Sequence, residues 1–159
     1  MDSMYRNLAK LVILLGIIGV IMGLVFIQQG FSKKSYMVDA MKLEKVTLGD
    51  VHAPGGNEDQ VIDNAAAAQL AGDTIREHRR NIAPTYKDLM AGGRYDPANP
   101  KHLSYAQALN MENYLYLAVA GFGLVNVVLA SGLFMIISGL AFMAIGLIFW
   151  KGIKTPVTA

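Results

Sequence analysis

The sequence predicts an all-α membrane protein: two long antiparallel transmembrane helices joined by a small, mostly helical extramembrane domain. Three observations carry this expectation. From Leu115 to Trp150 the chain holds no charged residue. A second apolar run, Leu8 to Ile27, is interrupted only by Lys10. Between them lies a polar stretch in which acids and bases nearly balance and apolar residues recur at helical spacing. Each apolar run reaches or exceeds the ~20 residues that cross a bilayer core.

The expected organisation has four parts. Residues 1–30 form an N-terminal signal-anchor helix, 31–114 an extramembrane domain, 115–150 a long hydrophobic helix that includes the second span, and 151–159 a short basic tail. The first apolar body is longer than the ~7–15 residues of a cleaved signal peptide, and no small-residue cleavage site follows it. Within it, Gly16, Gly19 and Gly23 share one helical face, and Gly19 with Gly23 makes a GxxxG pair. Small residues let two helix backbones approach in lipid, where packing rather than water exclusion drives association.

After Gln28 and Gln29 the helix is expected to run on through SYMVDAMKLEKV. Residues 46–62, with Pro54, Gly55 and Gly56 at their middle, read as a short hairpin or loop. Asp63 or Asn64 caps the next helix, DNAAAAQLAGDTIREHRRNI. Its apolar stripe is read as Ala67, Ala71, Ile75, His78 and Ile82. Pro84 suits the first turn of a short helix that Gly92 and Gly93 end. The spacing of Ser104 and Gln107 then fits a capping box at the start of the last helix.

In that helix Gly132, Gly139 and Gly146 recur every seven residues. This spacing has meaning only along a continuous helix, and it makes a second small-residue seam facing the first. The competing arrangement has three spans, with a C-terminal hairpin turning at Ala130, Ser131 and Gly132. Such a turn would leave backbone groups unpaired in lipid. Asn126 is the strongly polar side chain of the run, with an interhelical hydrogen bond as its expected use. The basic residues Arg6, Lys10, Lys151 and Lys154 at the two ends place both termini in the cytoplasm and the middle domain outside it. The expected location is a bacterial plasma (inner) membrane.

Chemistry-bearing patterns are sparse. The chain has no cysteine, which excludes disulfides, thiolate metal sites and Cys nucleophiles. His52, His78 and His102 belong to no metal-ligand motif, so no metal, cofactor or catalytic residue is expected. The net charge of +2 and the lack of a basic aromatic patch point away from nucleic acid. The methionines read as adaptable filler. One neighbourhood on the middle helix, Asp73, Arg76, Glu77, His78 and Arg80, is the candidate ligand-binding group, with Arg79 beside it. The expected function is that of a non-catalytic accessory or structural subunit of a larger membrane complex. Its partners would be other membrane subunits or further copies of itself, and the bilayer. The alternative is a membrane-anchored module that binds a ligand, a lipid head group or a metal.

Overall fold

The computed structural model describes residues 2–152 and is all-helical, in the order α1 (Asp2–Glu44), α2 (Ala65–Ile82), α3 (Tyr86–Met90) and α4 (Pro100–Gly152). The expected basic tail at 151–159 lies outside the described residues beyond Gly152. Helices α1 and α4 are both long and apolar enough to cross a membrane. Helix α4 is unbroken through Ala130, Ser131 and Gly132, so the hairpin of the three-span arrangement is not formed. Two compact units are present: one holds the residues before Lys34 and those after Leu124, the other is Lys34–Leu124.

In the first unit, α1 and α4 meet along a row of small residues spaced by seven. A Cβ added to Gly16 would lie 2.6 Å from the carbonyl oxygen of Gly139, and one added to Gly23 would lie 2.6 Å from that of Gly132. Gly146 faces Ala9 and Ile13, and Gly30 faces Leu129. The α1 row is Ala9, Gly16, Gly23 and Gly30, and all four are buried. Between the small residues sit half-buried larger ones, Ile13, Val20 and Ile27 on α1, and Leu129, Ile136 and Met143 on α4. The pattern is a heptad seam in which one of the two core positions has lost its side chain, so each large residue fills the hollow left by a glycine opposite.

Gly19 lies off this row. Its added Cβ would meet the Gly139 Cα at 3.3 Å, looser than the contacts of Gly16 and Gly23. Asn126 does not face the seam either. It is exposed on α4 and its side chain makes no hydrogen bond among the described residues. The expected interhelical bond is absent because the seam positions around it belong to Val125 and Leu129, which turn Asn126 outward.

The second unit is built on the extensions of α1 and α4, with α2, α3 and the 46–62 segment packed against them. Helix α1 ends where Lys45 adopts a positive φ of 55°. The segment that follows folds back on itself through a single antiparallel bridge, Thr47 to Val61. The Leu48 N–H donates to the Gln60 carbonyl at 2.9 Å, and the Ile62 N–H donates to Val46 at 3.0 Å. It is a pinned loop rather than a hairpin of two strands, because the chain turns on itself at 48–53, where the His52 N–H donates to the Gly49 carbonyl, the Ala53 N–H donates to Leu48 and His52 takes a φ of 55°. Lys42 ties α1 to its far end through Asp63, at 3.4 Å.

Helix α2 begins at Asn64, whose side-chain oxygen accepts from the Ala67 N–H at 3.0 Å. Its buried face is Ala67, Ala68, Ala71, Gly72, Thr74 and Ile75. These join Leu48, Val51, Ala53 and Ile62 in one core, with Met41, Leu115 and Val119 packed against it. Small residues bring α2 close: a Cβ on Gly72 would lie 3.2 Å from the Tyr116 ring. His78 is exposed, contrary to the expected stripe. The inward position one turn beyond Ile75 is taken by Arg79 instead. Helix α3 is capped by Thr85 rather than opened by Pro84, and it ends at Ala91 with φ 45° rather than at the glycines. Helix α4 starts at Pro100, four residues before the expected Ser104, after an Asn99 side chain that accepts from the Lys101 N–H at 2.9 Å.

The seam makes a differential prediction. Gly139→Ala forces a methyl onto the backbone of α1 and should destabilise the chain in micelles by about 1–3 kcal/mol. Gly123→Ala, where an added Cβ meets nothing within 4 Å, is the control. It should be neutral or stabilising by up to ~1 kcal/mol through helix propensity. Reversible denaturation of both variants in the same detergent measures the difference.

Candidate functional site

Two clasps of polar residues join α2 and α4 in the second unit. In the first, Arg79 reaches Glu112 with Nε to Oε2 at 2.6 Å, and its Nη1 donates to the Tyr105 hydroxyl at 2.6 Å. The guanidinium also lies over the Tyr105 ring, 5.1 Å from its centre. Both charged side chains are largely withdrawn from solvent, at 12% and 9% exposure. The hydrogen bonds to Glu112, opposed by burial and helped by its charge, raise the Arg79 pKa above its ordinary value. The group is a fixed cation–anion pair with an aromatic lid.

In the second clasp, the Tyr116 hydroxyl donates to Asp73 at 2.6 Å, Gln69 donates to the same carboxylate at 3.0 Å, and Arg76 pairs with it at 2.7 Å. The Tyr116 bond, then the Gln69 bond, hold the Asp73 carboxyl below its ordinary range. Burial, then the donated bond to Asp73, push the Tyr116 phenol up to about 12. Both clasps are accounted for by holding α2 against α4.

Of the sequence-predicted ligand group, Asp73, Arg76, Glu77 and Arg80 line a shallow recess of about 400 Å³ together with Pro54, Leu70 and Thr74. His78 is not part of it. The carboxylate of Asp73 is already engaged by Tyr116, Gln69 and Arg76, which leaves the recess with mixed and largely neutralised charge. Sequence reasoning missed Tyr105, Glu112 and Tyr116, which carry the clasps. Their spacing along α4, with Glu112 and Tyr116 four apart and Tyr105 two turns earlier, marks one polar face that could have been matched to Arg79 and Asp73.

A different concavity has a more apolar lining. Met41 and Glu44 of α1, Val46, Val51 and Ile62 of the pinned loop, and Gln107, Asn110, Met111, Tyr114, Leu115 and Ala118 of α4 surround a cleft of about 430 Å³. Its floor is continuous with the core, since Val51 and Ile62 are buried core residues. Its rim is polar. No group of three or more histidine or acidic residues with metal-holding geometry occurs among the described residues. The chain matches no protein-family model, none of the curated proteins and no solved structure.

Two outcomes test the clasps. Glu112→Ala leaves Arg79 charged and without its partner, and should cost about 3 kcal/mol; Arg79→Met with Glu112→Leu should recover most of that loss. The raised Tyr116 pKa means that folding favours the neutral phenol. Its contribution is full below pH 10, the ordinary tyrosine value, and is lost as pH rises toward about 12. Ultraviolet difference titration of wild type against Tyr116→Phe should therefore lack a component in that window.

Proposed function

We propose that the chain is a non-catalytic subunit of a larger membrane complex, held in the bilayer by an antiparallel pair of transmembrane helices and displaying the Lys34–Leu124 unit outside the cytoplasm. The order of contacts along the seam supports the antiparallel pair. The exposed apolar surfaces of Leu11, Leu14, Ile18 and Ile21 on α1, and of Leu133, Phe134, Ile137 and Leu140 on α4, support insertion. Lys33 and Lys34 limit the buried length of α1, so the partnered portion of α4 begins near Leu129. Asn126 then lies about one turn beyond Leu129, the residue that Gly30 faces, towards the level where polar side chains meet head groups.

One observation carries the subunit reading. Beyond the bilayer limit, Tyr36 and Leu43 on α1 are 73% and 80% exposed, and Leu117 and Leu124 on α4 are 66% and 68% exposed. Each pair is separated by seven residues, so each helix presents an apolar stripe outside lipid. Apolar stripes of this kind mark contact surfaces for another protein. The glycine seam does not serve that role, because α1 and α4 consume it between themselves. Docking is therefore assigned to the outer unit.

Two measurements test this. Single cysteines at Ser32 and Ala98 should react with an impermeant reagent from outside, Ser3→Cys only from the cytoplasm, and Ser131→Cys from neither side. Gentle extraction followed by native mass analysis should find the chain in a complex that Leu43→Glu with Leu117→Glu disperses. A lone monomer, or a complex indifferent to those charges, would overturn the reading.

A further inference from the structure

We propose that the cleft between α1, the pinned loop and α4 is a binding site for a single-chain amphiphile with a cationic head, independent of whatever covers the outward stripes. The cleft is chemically divided. Met41, Val46, Ile62 and Leu115 give it an apolar interior, and Glu44, Gln107 and Asn110 give it a polar rim. Its volume of about 430 Å³ falls in the range of small-molecule sites, which are mostly apolar with a few oriented polar groups.

Three features favour a flexible chain bearing positive charge. The walls include two methionines, Met41 and Met111, whose unbranched side chains adapt to an occupant's shape. Glu44 is the charged residue among those lining the cleft, and among the described residues its carboxylate forms no ion pair. The nearby Lys42 is turned to Asp63 instead, at 3.4 Å. A cation at the rim would therefore find a free carboxylate with two carboxamide oxygens, from Gln107 and Asn110, able to accept further hydrogen bonds. The site is also preformed. The Thr47–Val61 bridge and the Lys42–Asp63 pair fix the loop, so little ordering is needed on binding.

The test uses the full chain in lipid nanodiscs with a diazirine-tagged dodecylamine as probe. Photolysis should give adducts on Met41, Met111 or Leu115, and excess dodecylamine should compete them away. Dodecanoate should compete at least tenfold less well than dodecylamine. Glu44→Gln, at the solvent-facing rim, should abolish that preference while leaving the fold intact by circular dichroism. Ala118→Phe should fill the cleft and remove the adducts. Adducts confined to the apolar runs 8–27 and 128–150 would overturn the proposal, as would labelling of the cleft that both variants leave unchanged. Equal competition by amine and carboxylate would overturn the assigned head group. A co-purifying protein that shields Met111 from oxidation, with no amphiphile adduct, would give the cleft to a protein segment instead.

Discussion

Close backbone approach between α1 and α4 is the constraint on which the first unit depends. At Gly16 and Gly139, and again at Gly23 and Gly132, the space that a methyl would need is already filled by the opposite backbone. Where lipid surrounds such a pair, clustering of apolar side chains gains nothing, and dispersion at short range holds the helices. The seven-residue repeat delivers this contact at every second turn. It also fixes register: sliding one helix by a single turn would bring Ile13, Val20 or Ile27 onto the backbone where glycine is required.

The second unit works under a different balance. Its core is small, and its innermost residues include the alanines Ala68 and Ala71, which are fully buried but contribute little apolar area each. Polar clasps supplement that core. Arg79, Glu112 and Tyr105 satisfy one another almost completely, and Tyr116 fastens Asp73, so α2 is located on α4 by directional bonds as much as by burial. Such pairs add more to uniqueness of arrangement than to net stability. The consequence for function is that the most reactive-looking side chains of the chain are occupied with architecture, while the apolar stripes and the cleft remain open to other molecules.

The two long helices were legible because apolar runs of that length have few alternatives, and α2 because a cap precedes a periodic stripe. The seam was half legible. Gly132, Gly139 and Gly146 stand out by their spacing, but on α1 the cluster of Gly16, Gly19 and Gly23 drew the eye to a GxxxG pair. The row that matters, Ala9 to Gly30, includes an alanine and skips Gly19. Setting the α4 period against α1 would have found it. His78 was misplaced because periodicity fixes a face only to within one position, and Arg79 could enter the interior only with Glu112 as partner. That partner lies on another helix, a relation that local spacing does not encode. The starts of α3 and α4 shifted by a few residues because Thr85 and Asn99 offer caps as good as those expected.

The seam also joins two helices, α1 and α4, that lie far apart in the sequence. During synthesis, α1 is made long before Gly132, Gly139 and Gly146 exist, and the contacts of Lys34–Leu124 involving α2 and the pinned loop are closer in sequence than those of the seam. Closure of α1 on α4 is therefore a late event of high contact order. Until then the groove along Ala9, Gly16, Gly23 and Gly30 stands open to any other helix with a matching period. Pairing of the first unit thus waits for α4, and until α4 is made the small-residue row of α1 lacks its partner.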